Sequence, residues 1–217
     1  GSGLLASTAL TVNSGGTYDV DASDTIGSIA GAGSIDIAGS QILNVGGNNS
    51  STSFTGVISG AGALTKSGSG TLTLSGTSTF TGATAITAGK IAISSNAALG
   101  ATNGATTVSS GAALSISGSI TVAEPITISG TGISSGGAIV FTGGANTYSG
   151  AISLGATSTI VSSSGTQTIS GATNGGQILT ITTSDDLVIS GIVGGSTELS
   201  SYTINSSGDA TINVNVK

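Results

Sequence analysis

The chain alternates aliphatic and small polar residues in short runs, and this period of two constrains the fold more than any other feature. The runs are "TLTLS" at 71–75, "KIAIS" at 90–94, "LSIS" at 114–117, "ITIS" at 126–129, "ILTITT" at 178–183 and "ATINVNV" at 210–216. Each is bounded by Gly, Ser or Asn, as short strands with one buried face are. No window carries an apolar period of 3.6, and "SNAALGATNG" at 95–104 holds at most one helical turn.

A longer period overlies the short one. The tripeptide Ile/Leu-Ser-Gly ends strands at Ile58, Leu74, Ile116, Ile128, Ile169 and Ile189. A second unit places an aromatic before Ser/Thr and Gly, in "STSFTG" at 51–56, "TSTFTG" at 77–82 and "ANTYSG" at 145–150. Strands too short to close a core alone, repeated along the chain, predict stacked repeats and hence an all-β parallel β-helix, or β-solenoid. Coils of about 20 residues stacked about 4.8 Å apart give roughly ten coils and a rod about 50 Å long. A length of 217 residues suits one domain, so residues 1–217 are read as a single solenoid.

Composition agrees with a thin core and an inert surface. Hydrophobic residues make up 37% and mean hydropathy is +0.43, so the chain is not of the disordered class. Aromatics are only 3%, too few for a bulky core, and the 38 Gly suit many corners. Charged residues are 6%, against about 25% in an ordinary soluble domain. With no Arg, a net charge of −6, and Lys66, Lys90 and Lys217 as the bases, no electrostatic footprint for nucleic acid or an anionic membrane exists. No apolar run is long enough to span a membrane as a helix, and "GSGLLASTALTVNSGG" does not read as a signal peptide.

Residues 60–94 resemble the β-strand repeat of bacterial autotransporter passenger domains. The matching elements are Gly62, Leu64, Thr65 and Lys66, then Gly68, Gly70, Thr71, Leu72, Thr73, Leu74, Ser75 and Gly76, then Ser78, Thr79, Phe80 and Gly82, and finally Gly89, Lys90 and Ile91. Departures are Ala63 for a second Gly, Ser78 for Asn, Phe80 for Tyr and Ile91 for Leu. More degenerate repeats lie around 105–176, notably "GGANTYSGAISL" at 143–154 and "TQTISGATNGG" at 166–176; residues 1–53 and 177–217 share only composition and strand spacing. The resemblance implies a right-handed β-helix exported to the bacterial surface through a C-terminal barrel, whose residues are not among these 217.

The chemistry available is narrow. Without His, Cys or Arg there is no Ser-His-Asp or Cys-His nucleophile, no imidazole or thiolate metal site and no Arg clamp on phosphate. Carboxylates remain, and a glycosidase would need two of them about 5 to 9.5 Å apart. Asp185 with Asp186, Glu124, Glu198 and Asp36 are the candidates. Adjacent residues of an extended segment face opposite ways, so Asp185 and Asp186 converge only on a turn; solvated turn acids are the preferred reading. In "YDVDASD" at 18–24, Asp19 and Asp21 share one strand face with Asp24 at the turn, an oxygen set suited to Ca²⁺. The spacing is neither that of an EF-hand nor that of a Ca²⁺ β-roll, so a solvated acidic edge is preferred.

Phe54, Phe80 and Tyr148 precede Gly corners and are read as stacked structural residues rather than sugar platforms; Lys66 and Lys90 are read as repeat positions. The sequons "NNSS" at 48–51 and "NSS" at 205–207 are read as turns. Thr-x-Thr units begin at Thr71, Thr77, Thr157, Thr166 and Thr180, a spacing that keeps to no single coil length and argues against a regular Thr array. No catalytic residue, cofactor or metal is assigned. The sequence therefore predicts a non-enzymatic, exported bacterial surface passenger or stalk for adhesion or display. Its partners would be a host or cell-surface ligand or neighbouring copies of itself. The alternative is an extracellular filament or matrix protomer joined through open β-helix ends, "ATINVNVK" included.

Overall fold

The structure is a computed structural model that describes residues 3–213. Parallel strands stack as a β-solenoid of about ten turns. Among the described residues there is no α-helix, and a single 3-10 turn spans Ile133–Ser135. Among those residues no helix is long and apolar enough to cross a membrane. The chain divides into two compact units, Gly1–Thr107 and Val108–Lys217.

In the first unit each of the first three coils contributes three short strands. The first coil holds β1 (Ala9–Val12), β2 (Thr17–Val20) and β3 (Asp24–Ile26), and the second β4 (Ser28–Gly31), β5 (Ser34–Ile37) and β6 (Ile42–Val45). The third holds β7 (Thr52–Phe54), β8 (Val57–Gly60) and β9 (Ala63–Lys66). Next come β10 (Thr71–Leu74), an extended segment whose Thr79 and Phe80 amides both donate to Ile58 O, then β11 (Thr84–Ile86) and β12 (Lys90–Ile93). Strand β13 (Thr106–Val108) falls at the boundary between the units. The segment 95–100 forms turns, with Ala98 N–H donating to Ser95 O and Gly100 N–H to Ala97 O.

Alternation sets which side chains point inward, and stacking sorts them into columns. Leu72 lies over Ile91 and Leu74 over Ile93, while Tyr18, Ile35 and Ile58 form a column on another face. These aliphatics are at most 2% exposed, and each contributes about 1.5 to 3 kcal/mol. One column runs Val12, Gly31, Phe54, Leu74; a Cβ on Gly31 would lie 2.1 Å from Val12 O, so only Gly lets the backbone close on Val12 there.

The second unit repeats the plan. It holds β14 (Ala113–Ile116), β15 (Thr121–Val122) and β16 (Ile126–Gly130), then β17 (Ile139–Phe141), β18 (Thr147–Tyr148) and β19 (Ile152–Ser162). Strand β19 turns a corner: Ile152 pairs with Ile126 of β16, and Ile160 with Ile139 of β17. Then follow β20 (Gln167–Ile169), β21 (Thr173–Asn174), β22 (Ile178–Thr183), β23 (Leu187–Ile189), β24 (Ser201–Ser206) and β25 (Ala210–Ile212).

Coil length varies, yet register is kept. Thr17 pairs with Ser34, an offset of 17 residues, and Ile126 with Ile152, an offset of 26. Corners absorb the difference. The Ile/Leu-Ser-Gly and aromatic-Ser/Thr-Gly units therefore prove to be one corner element: Leu74 stacks on Phe54, and Ile189 on Ile169 on Tyr148. Their glycines follow in step, since a Cβ on Gly171 would stand 1.7 Å from Gly150 O and one on Gly191 2.0 Å from Gly171 O. The expected equivalence of the three aromatics is corrected here. Phe80 and Tyr148 occupy the second segment of their coils, whereas Phe54 sits in β7, the first strand of its coil.

Candidate functional site

The clearest constellation in the first unit centres on the passenger-type repeat. Residues from β9 to β12 exceed one coil, so the repeat pairs with itself twice: Leu64 with Thr84 and Lys66 with Ile86, then Leu72 with Ile91 and Leu74 with Ile93. Lys66 shares strand parity with Leu64 and points into the core, where it is 1% exposed in a column between Val45 and Ile86. Its Nζ donates to the carbonyls of Ser67, Gly68 (2.8 Å) and Ala88 (3.3 Å), which joins the two turns of the repeat. Burial holds the ammonium below the usual lysine value of 10.5. Gly68 and Gly89 make those turns at φ +66° and +63°, conformations that favour glycine. Lys90, four residues before the next corner, is half-buried on the outer face opposite Thr71.

The second unit fills a corner of its own, ahead of β20, with amides. Gln167 Nε2 donates to Gly144 O (2.7 Å), Ser164 O (2.8 Å) and Gly165 O (2.9 Å). Its Oε1 accepts from Asn146 N (3.1 Å) and Nδ2 (3.1 Å), while Asn146 Oδ1 accepts from Ile120 N–H (3.1 Å). Both side chains are at most 1% exposed. Neither amide was singled out from the sequence. The available signal was parity: Asn146 shares a strand face with Tyr148, and Gln167 with Ile169.

The acidic candidates are dispersed. Asp185 and Asp186 do lie on a turn, but they serve opposite neighbours: Asp185 Oδ2 accepts from Gly165 N–H (2.9 Å) in the preceding coil, and Asp186 Oδ1 from Asp209 N–H (3.2 Å) in the following one. Glu198 is exposed, and Asp36 Oδ1 accepts from Ser59 Oγ (2.6 Å). Glu124 is buried, and its backbone carbonyl accepts from the Tyr148 hydroxyl (2.7 Å). Burial, and secondarily the Glu124 charge, push Tyr148 far above the usual tyrosine range.

The Asp19, Asp21 and Asp24 set is also split. Asp19 and Asp21 are exposed, whereas Asp24 opens β3 facing inward over Leu43. Its carboxylate accepts from the Tyr18 hydroxyl, from Leu4 N–H (3.1 Å) and from Thr25 N–H (2.9 Å). Burial alone would raise the Asp24 pKa, but these donors outweigh it and hold it below 3.8. Among the described residues, no three acidic side chains gather as metal ligands.

Phe54, Phe80 and Tyr148 are fully buried and offer no sugar platform. Asn48 and Asn49 act in turns: Asn48 Oδ1 accepts from Ser50 N–H and Asn49 Oδ1 from Ser69 N–H, while Asn205 is an exposed residue of β24. The Thr residues are more ordered than their spacing suggested. Thr159, Thr180 and Thr203 stack in one column, and Thr121, Thr147 and Thr168 in another that continues through Val188 to Thr211.

Residues 64–93 match the family model of the passenger-associated-transport-repeat, the same segment that pairs with itself around Lys66. No curated protein and no solved structure matches the chain.

Proposed function

We propose that this chain is a non-enzymatic, exported bacterial surface protein, a β-helical passenger or stalk whose role is adhesion or display. The observation that carries this reading is the coincidence of the passenger-repeat match with the Lys66 staple. A motif devoted to pairing coils serves a scaffold rather than a cleft. The dispersed acids support the same reading, because Asp185 and Asp186 are bound to different coils and leave no pair across a sugar ring. The partner is a host or cell-surface ligand that meets a broad Ser/Thr/Asn face.

The test is display. The chain, fused to an outer-membrane β-barrel translocator, should reach the surface of bacterial cells, where added protease removes it and an antibody labels it. Cells that carry it should adhere to a host-cell or matrix surface that control cells do not. Retention inside the envelope, or exposure without any gain in adhesion or accessibility of a fused epitope, would overturn the proposal.

A second reading, self-assembly into filaments, has one specific observation in its favour. Core columns that are closed at Ile181 and Ile189 continue to Ile204, which is half-buried, and Ile212, which is 45% exposed. The tail "ATINVNVK" extends past Ile212, and its residues 214–217 lie outside the described structure. Negative-stain electron microscopy across a concentration series separates the readings: long fibres of constant width support assembly, and isolated short particles the passenger.

A further inference from the structure

The first coil carries a polar arrangement that the scaffold role does not require. Asp24 stands in an inward column whose next members, Leu43 and Leu64, are fully buried aliphatics. Tyr18 heads another inward column, above Ile35 and Ile58, and turns its hydroxyl toward Asp24. A carboxylate here would be costly without donors. It has three, and one comes from a segment outside the strands: Leu4 N–H donates to the Oδ2 that also accepts from Tyr18.

Residues 3–8 form that segment. They contain no strand, and their ties to the coil are few. Leu4 N–H binds Asp24, and Thr8 O accepts from Gly27 N–H (2.8 Å) and Ser28 N–H (3.2 Å). The remaining ties are close approaches across glycines. A Cβ on Gly3 would lie 2.1 Å from Asp24 Oδ1, one on Gly27 2.7 Å from Ser7 C, and one on Gly47 2.1 Å from Ala6 O. Leu5 is 74% exposed, so no apolar anchor holds this stretch from its middle. A cavity of about 180 Å³ is lined by Gly3 and Leu4 together with Tyr18, Val20, Asp21 and Asp24.

We propose that Asp24 is a latch that holds residues 3–8 over the first coil, and that protonating its carboxylate releases them while the coils beneath stay folded. An ionised Asp24 accepts from both Leu4 N–H and the Tyr18 hydroxyl; a neutral acid is a weaker acceptor and brings a competing donor of its own. The titratable groups around it are Tyr18 on β2 and the exposed Asp19 and Asp21 on the cavity wall; Leu43 faces it from the coil below, and residues 3 and 4 offer backbone. Tyr18 is pushed up to about 12, chiefly by burial and then by Asp24, so it keeps its proton throughout the acid range. Release would open the cavity over Tyr18 and Val20. This goes beyond the scaffold role and stands or falls independently of it.

Amide hydrogen exchange on the whole chain, between about pH 6 and about pH 2.5 and corrected for intrinsic rates, tests the latch. The Leu4 amide should lose about tenfold protection on acidification, the equivalent of one charge-assisted hydrogen bond, while Leu43 and Leu64 stay protected. In Asp24→Asn the Leu4 amide should be equally unprotected at both ends of the range. Gly3→Val gives an independent control, since it blocks seating against Asp24 and should free Leu4 at every pH without changing the carboxylate. Tyr18→Phe, which keeps the ring in its column, should move the transition to higher pH. Constant Leu4 protection across the range, or Leu4, Leu43 and Leu64 losing protection together, would overturn the proposal.

Discussion

The two units solve one corner problem with opposite chemistry. In the first, a single ammonium, Lys66 Nζ, reaches the carbonyls of Ser67, Gly68 and Ala88. In the second, a neutral amide, Gln167 Nε2, reaches those of Gly144, Ser164 and Gly165, and Asn146 passes the bonding on to Ile120. What a β-solenoid corner demands is donors in number and position, because turn carbonyls buried without partners cost about 1 to 3 kcal/mol each. Charge is optional. It carries a consequence, however, since burying an ammonium couples the first corner to pH in a way the amide ladder is not coupled.

The largest effect should come from a feature the units share. Gly171→Ala would drive a Cβ to 1.7 Å from Gly150 O, and Gly76→Ala one to 1.8 Å from Gly56 O. Each should destabilise its unit by about 3 kcal/mol or more, read as a drop in the denaturant midpoint. A tolerated Gly171→Ala would show that the coils slide where the structure has them locked.

Removing the donors comes next. Gln167→Leu takes a donor from three turn carbonyls and the Oε1 acceptor from the Asn146 backbone N–H, with an expected loss of about 2 to 4 kcal/mol in the second unit. Lys66→Met keeps the stem but loses the ammonium, with an expected loss of about 2 kcal/mol; the smaller figure reflects the desolvation cost that leaves with the charge. Hydrogen exchange resolved by residue should place the first loss in 108–217 and the second in 1–107. The reverse order would mean that charge, not donor count, governs the corner.

Alkali should then separate the units by sign. Tyr148 and Tyr202 are raised above 10.0, mainly by burial, so their contribution is complete below that value and is lost as pH climbs toward their folded values. Lys66 runs the other way. Its folded value lies below 10.5, so the folded chain sheds that proton first, and stability in the first unit gains between the lowered value and 10.5. Tyr18, at about 12, opposes this gain above pH 10.0. Tyr148→Phe should remove much of the alkaline loss in the second unit, measured as unfolding midpoint against pH; an unchanged profile would refute the assignment. The smallest change is expected at the surface, where Thr168→Ala in the outer Thr column should alter stability by about 0.5 kcal/mol or less.

Much of this molecule was legible in its sequence because alternation with a period of two carries both the strand and its buried side. Leu72, Leu74, Ile91 and Ile93, the aliphatics of the alternating runs at 71–75 and 90–94, are buried in register. The same rule, applied without regard to residue type, would have placed Lys66 and Gln167 inward as well. In the sequence Lys66 reads only as a repeat position, and Gln167 is not singled out. The acidic candidates were less legible: whether Asp185 and Asp186 converge depends on which coils flank their turn, and those partners lie 20 and 23 residues away.

By itself, the sequence determined the all-β solenoid, the corner glycines, the absence of imidazole, thiol and guanidinium chemistry, and the passenger-type repeat. The first three follow from local period, composition or spacing, which the chain carries before it folds, and the last from resemblance to a known repeat. The tertiary structure alone decided which coils stack on which. It put the Phe54 and Leu74 units on one corner and the Tyr148, Ile169 and Ile189 units on another, aligned Thr residues whose spacing looked irregular, moved Phe54 to a different face from Phe80, and turned Asp24 inward to Tyr18 and Leu4. The physical reason is that coil length here is elastic at the corners and rigid along the strands. Register is therefore a property of neighbouring coils together, and no single coil contains it.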